Sequence, residues 1–176
     1  MLAESALAIP IPEADGLVGS FRGLYDPPAP TDIPAHVTVH YPYKPPLDIT
    51  PQVISNLQKL LSQFPCFNVS FAKTGRFPGV LYISPVPAEP FRLLSEIIAY
   101  HFPESQPYDG EVFSFTPHLT FAIVSDPLKL DDIEAKFQAE AGNKLPILAE
   151  VQAVTMFENS SGNWQVRALF PLRSDR

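Results

Sequence analysis

Short alternating runs of hydrophobic and polar residues recur along this chain, and stretches of helical spacing separate them. Ala6 to Pro12 reads as a strand with Leu7, Ile9 and Ile11 on one face, and its prolines place it at an edge or a strand end. Glu13 to Tyr25 is expected to be a short helix, weakened by Gly16, Gly19 and Gly23 and stopped by Asp26-Pro27-Pro28. Ala35 to Tyr41 alternates as a strand and leaves through a stiff Tyr41-Pro42-Tyr43-Lys44-Pro45-Pro46 loop. Thr50-Pro51 has the form of an N-cap followed by proline at the first helical position. Val53, Ile54, Leu57, Leu60, Leu61 and Phe64 then keep helical spacing until Pro65.

Phe67 to Phe77 and Val80 to Val86 read as a hairpin about Pro78-Gly79. Pro87 to Phe102 comes next as a helix carrying Phe91, Leu94, Ile97 and Ile98. A strand is expected over Thr116 to Val124, broken by Asp126-Pro127, and a helix over Asp131 to Ala141 with Ile133 and Phe137 inward. Leu145 to Phe157 reads as one strand, 158–163 as a polar turn, and Trp164 to Leu172 as the last strand.

These elements repeat in kind. Each half runs strand, helix, strand, helix, hairpin, over roughly 6–86 and 80–172, although the two sequences barely match. Two such halves predict an α+β fold: one bilobal unit spanning 1–176, with two mostly antiparallel sheets, outer helices, pseudo-twofold duplication and a central cleft between the sheets' uncovered faces.

The halves do match at one place. The first has Pro34-Ala35-His36-Val37-Thr38-Val39-His40-Tyr41, the second Thr116-Pro117-His118-Leu119-Thr120-Phe121-Ala122. Strand alternation puts His36, Thr38 and His40 on one face, and His118 with Thr120 on another. Elsewhere it sets Tyr82 against Leu81 and Ile83, and Gln165 and Arg167 against Trp164, Val166, Ala168 and Phe170. With the apolar sets buried under helices, Tyr82, Gln165 and Arg167 become cleft candidates. Tyr82 read otherwise is a half-buried structural tyrosine, and Arg167 a solvated charge. His40 is either a substrate contact or a rim histidine bonded to the backbone.

A single His-x-Thr is common by chance; two at matching points of a repeat carry a chemical meaning. Histidine holds both protonation states near neutrality, so one imidazole can take a proton while the other gives one. Threonine hydroxyls two residues on can donate to phosphate oxygens between them. This set suits cleavage of a phosphodiester with an oxygen on either side. A metal site fits less well. Residues two apart on a strand lie ~6.6 Å apart along its axis, and His36 and His40 ~13 Å, too far to share one ion directly. A metal would need His36, His118 and a carboxylate, and neither motif carries one, so no metal and no cofactor is expected.

Composition narrows the partner. The 176 residues are 45% hydrophobic and 18% charged, enough for a packed core. A formal charge of −7 argues against coating long nucleic acid, which is held mainly through phosphate neutralisation, and leaves a small nucleotide or a short RNA end. The single cysteine, Cys66, reads as an inert thiol. No signal peptide or membrane span is evident, so a soluble, cytoplasmic, monomeric protein without membrane partners is expected.

At the two motifs the chain resembles the 2H phosphoesterase superfamily, named for paired H-x-[ST]-x motifs, here His36-Val37-Thr38-Val39 and His118-Leu119-Thr120-Phe121. The stretches AHVTVHYPY, GRFPGVLYISPVPAEPF and FTPHLTFAIV are similar to its 2′-5′ RNA ligase-like branch. The resemblance implies a bilobal α+β fold and metal-independent activity on 2′,3′-cyclic phosphates or 2′-5′ linkages, reversible as ligation. It implies that His36 and His118 are the acid/base pair, in either order, and that Thr38 and Thr120 hold the phosphate. Tyr41, Tyr43 or Tyr82 could stack a base, or Tyr41-Pro42-Tyr43 could be only a rigid loop. Some members carry an Arg five residues after the second His, where this chain has Ile123. Arg167 or Arg76 is the expected substitute. A non-catalytic binder of cyclic nucleotides or RNA ends is the alternative.

Overall fold

The computed structural model describes residues 3–26, 33–107 and 115–174. Eight strands and four α-helices alternate along them: β1 (Ser5–Pro10), α1 (Asp15–Tyr25), β2 (His36–His40), α2 (Pro51–Leu61), β3 (Phe67–Phe77), β4 (Val80–Val86), α3 (Glu89–His101), β5 (Leu119–Ile123), α4 (Pro127–Ala141), β6 (Ile147–Val151), β7 (Ala153–Glu158) and β8 (Gln165–Pro171). Pro27-Pro28, the expected stop of the first helix, lies outside the described residues.

The local signals explain most of these elements. The Thr50 hydroxyl accepts from the Val53 amide, with Pro51 at the start of α2. Asp126 caps α4 in the same way through the Leu128 amide, so this helix starts at Pro127, earlier than its apolar spacing suggests. Gly79 adopts φ +76 in the turn between β3 and β4.

The strands form two antiparallel four-stranded sheets, β2-β1-β7-β8 and β5-β4-β3-β6. The two orders correspond strand for strand: β2 with β5, β1 with β4, β7 with β3 and β8 with β6. The fold is therefore α+β, bilobal and pseudo-twofold. Each sheet nevertheless draws on both halves of the chain. The β3–β4 hairpin of the first half lies in the second sheet, and β7 and β8 complete the first.

The run Leu145 to Phe157 is not one strand. Val151 pairs with Phe67 in one sheet and Ala153 with Pro171 in the other. The inward side chains change parity at the crossing, from Ile147, Ala149 and Val151 to Val154 and Met156.

Helix α1, which comes after β1, packs against β5 of the opposite sheet, and α3, which comes after β4, packs against β2. One continuous core results, joining Leu7, Ile9, Val37 and Val39 to Leu81, Ile83, Leu119 and Phe121. The interlocked helices and sheets bury these large aliphatic and aromatic side chains and bring β2 and β5 together in space.

Candidate active site

Where β2 and β5 approach, a cavity of about 570 Å³ opens. His36, Thr38, His118 and Thr120 all line it, with Glu4, Ala6, Ala8, Arg22, Asp26, Ile33, Tyr41, Ile123, Phe157, Asn159 and Trp164. The two imidazoles are held alike. His36 Nδ1 lies 2.8 Å from the Pro34 carbonyl oxygen and His118 Nδ1 2.7 Å from that of Thr116. A carbonyl only accepts, so Nδ1 carries the proton in each ring, and Nε2 of the neutral ring is left with a lone pair for the cavity. Burial pushes both imidazoles below their ordinary pKa, partly opposed by those backbone bonds. His36 alone is lowered further, by the charges of Arg22 and His118.

A bulge lies directly after each motif threonine. Leu7 pairs with His40 but Ala8 with Thr38, so Val39 is an extra residue on β2. Leu81 pairs with Ala122 but Tyr82 with Thr120, so Phe121 is extra at the corresponding point of β5. Each bulge turns the chain after the threonine onto the core face. This corrects the expected position of His40. It lies opposite Leu7, is 1% exposed, and places Nε2 2.6 Å from the Ser105 carbonyl oxygen, edge-on to Tyr43. Tyr43 is also in the core, against Phe102, and not at the cleft.

Arg167 is displaced by a third bulge. Met156 pairs with Ala168 and Phe157 with Val166, which makes Arg167 the unpaired extra residue, exposed at the edge strand and near Glu158. Gln165 donates to Glu158 Oε1 at 2.6 Å. Arg76 is on the helix-covered side of β3 and binds Asp131 and Glu134 of α4. None of the three lines the cavity.

The cation at the site is Arg22, on α1, a residue that strand alternation and motif spacing do not pick out. Its Nη2 donates to the Ile33 carbonyl at 3.0 Å, and its Nη1 lies 3.9 Å from Asp15. The available signal is position: Arg22 is one turn beyond Val18 and adjacent to Phe21, on the buried side of an amphipathic helix. Trp164 also departs from its expected place. It packs with Ala8, Ile33 and Phe157 at the cavity and not under a helix. Among the described residues, no three His, Cys, Asp or Glu side chains are grouped as metal ligands would be.

The lobes differ at one strand. Beside Thr38 on β1 is Ala8; beside Thr120 on β4 is Tyr82. Tyr82 lies across Gly75, where a Cβ would sit 2.5 Å from the ring, and stacks at 4.5 Å on Phe77. Both rings contact His118, at 5.5 Å and 5.0 Å. In the second lobe the aromatics therefore fill the space beside the threonine and brace His118. In the first, the smaller Ala8 stands there, with Ile33, Phe157 and Trp164 packed around it as part of the cavity lining. Tyr41 borders it, its hydroxyl donating to Glu4 Oε2 at 2.8 Å and its ring 6.4 Å from Trp164. Burial and the Glu4 carboxylate push that phenol up to about 12.

A two-lobed α+β scaffold with paired His-x-Thr strands on one cavity defines a phosphoesterase-like class, and comparison with known proteins agrees. Residues 10–163 match the model of the 2′-5′ RNA ligase superfamily, and the chain belongs to that family. No curated protein matches the chain. Among solved structures, Escherichia coli LigT complexed with 3′-AMP superposes with a TM-score of 0.66 at 15% identity, over 98% of this chain and 99% of that one. TT0787 of Thermus thermophilus gives 0.65 at 20% identity, over 98% and 100%. A crystal structure described as a phosphoesterase gives 0.64 at 14%, over 98% and 99%. At these identities the likeness is one of fold.

Proposed function

We propose that this protein is a phosphoesterase that opens 2′,3′-cyclic phosphates on nucleotides or short RNA ends, working through His36 and His118 without a metal. One observation carries the reading: two imidazoles, each fixed at Nδ1 by a main-chain carbonyl, share a cavity with two threonine hydroxyls. That arrangement leaves a basic Nε2 on a neutral ring and an Nε2–H donor on a protonated one. His36, lowered further by Arg22, is the base. Its Nε2 takes a proton from water as the water oxygen attacks phosphorus. The bond from phosphorus to one ribose oxygen breaks, and protonated His118 supplies that oxygen's proton. Thr38, Thr120 and the Arg22 guanidinium face the charge that develops on the phosphoryl oxygens. With a 5′-hydroxyl in place of water the same groups open the ring to a 2′-5′ linkage; read backwards, the free ribose hydroxyl attacks phosphorus, the water or 5′-oxygen leaves with a proton, and the cyclic phosphate closes. LigT's complex with 3′-AMP supports a nucleotide as the ligand.

The test is turnover of 2′,3′-cyclic nucleotides in EDTA by the parent protein, His36→Ala and His118→Ala. Turnover that survives EDTA and is lost in both variants supports the proposal. Binding without turnover in the parent protein would make it a binder of cyclic nucleotides, and activity abolished by chelation would return a metal to the mechanism.

A further inference from the structure

On the first lobe the cavity runs along β1 as a trench defined by the residues that line it. Ala6 and Ala8 share the cleft-facing side of β1, Glu4 just before the strand continues the same alternation, and all three line the cavity. Ala6 and Ala8 present only methyl groups to it, Ala8 being 2% exposed. Ile33, Phe157 and Trp164 pack around Ala8 and line the same cavity. At one end is the catalytic row, where Ala8 pairs with Thr38. At the other end is Glu4, four residues away, or ~13 Å along the strand. That is close to the span from the phosphorus of a nucleotide to the far edge of its base.

The far end is polar and its orientation is fixed. Asn159 Oδ1 accepts from the Glu4 amide at 2.6 Å, which leaves the Asn159 side-chain NH₂ as the donor. Glu4 Oε2 receives the Tyr41 hydroxyl, and a carboxylate retains acceptor capacity on both oxygens after one such bond. The trench therefore ends in an acceptor pair beside a donor. Of the four RNA bases, guanine alone presents two adjacent N–H donors, at N1 and the 2-amino group, next to a carbonyl acceptor, O6. Adenine and cytosine place a ring-nitrogen acceptor beside their single amino group, and uracil flanks one N–H with two carbonyls. Each of these would set an acceptor against the carboxylate.

We infer that this trench seats the base of the nucleotide carrying the reacting phosphate, and that Glu4 selects guanine. The inference rests on the phosphoesterase reading for the position of the phosphate. The seat itself can be tested without turnover, because Trp164 is the only tryptophan of the chain. Guanosine 3′-monophosphate and adenosine 3′-monophosphate are titrated against Trp164 fluorescence in the parent protein and in Glu4→Gln, a variant that keeps an acceptor for Tyr41. In parallel, kcat/KM is measured on the four 2′,3′-cyclic nucleotides. Saturable quenching is expected, with guanosine bound about tenfold or more tighter than adenosine. In Glu4→Gln that ratio collapses to within about threefold. Guanosine-selective quenching without turnover would keep the seat and sink the phosphoesterase. Turnover with equal kcat/KM on all four bases and no change in Trp164 fluorescence would keep the enzyme and overturn the seat. Selectivity that survives unchanged in Glu4→Gln would overturn the role of Glu4.

Discussion

Arg22 and His36 come from different elements, α1 and β2, yet line one cavity, and the positive charge of the first adds to burial in holding the second below its ordinary pKa. Replacing Arg22 by Gln removes that charge. The sign is direct: His36 then titrates at a higher pH, so the acidic limb of the kcat/KM profile moves up. Under the proposed mechanism the rate falls as well, by about tenfold or more, because the guanidinium charge facing the phosphoryl group is lost. A pH–rate profile of cyclic-nucleotide hydrolysis by R22Q reads both effects together.

The proposed reaction has its own pH signature in the parent protein. Both imidazoles are lowered from 6.5 by burial. With a base and an acid that both titrate below that value, kcat/KM in the free enzyme peaks on the acid side of 6.5 and declines toward neutrality as His118 loses its proton. Bound phosphate, being negative, raises both pKa values, so the kcat profile lies at higher pH than that of kcat/KM. Profiles that coincide, or a kcat/KM optimum above neutrality, would contradict this.

Gly75→Ala tests the brace behind His118. The added Cβ would sit 2.5 Å from the Tyr82 ring, which contacts His118 at 5.5 Å. Overpacking here is expected to cost about 1–3 kcal/mol in a urea melt and to lower kcat by disturbing the imidazole. Pairing it with Tyr82→Leu, which clears the ring, restores stability but not kcat.

His40 makes a prediction about stability alone. Burial lowers its pKa in the folded protein, against a backbone bond to Ser105 that raises it. Its contribution is fully present above the unfolded value near 6.5 and is lost as pH falls through that value toward the folded pKa. His36 and His118 act in the same direction. Denaturant melts should therefore show stability falling below about pH 6.5, and His40→Phe should flatten that slope while the pH–rate profile keeps its form.

A side chain's place is legible in the sequence only where no second strand is needed to fix it. The bounds of β3 and β4 follow the hydrophobic pattern despite a bulge at Ala72, and the cleft positions of His36, Thr38 and Thr120 come from alternation because each precedes the bulge in its strand, with His118 just before β5. His40 and Arg167 do not, because a bulge exists only between paired strands, and an extra residue such as Val39 leaves no mark in its own sequence. Arg22 reaches the cavity because α1 crosses to the opposite sheet, a tertiary fact. The split of Leu145 to Phe157 is legible in principle, since the buried positions change parity at Gln152, but each half alone is a well-formed strand. Hydrophobicity points Trp164 to the core, and it cannot separate a core wall from a base-sized cleft wall.

The crossing of the chain between Val151 and Ala153 also bears on synthesis. The sheet that carries His36 consists of β1 and β2 from the first quarter of the chain and β7 and β8 from its last residues, with Ser5 paired to Glu158. While a ribosome is still making the middle of the protein, half of that sheet does not exist, and the long separation between partners slows its closure. A chain cut short before β7 therefore contains both histidines but lacks half of the sheet that carries His36.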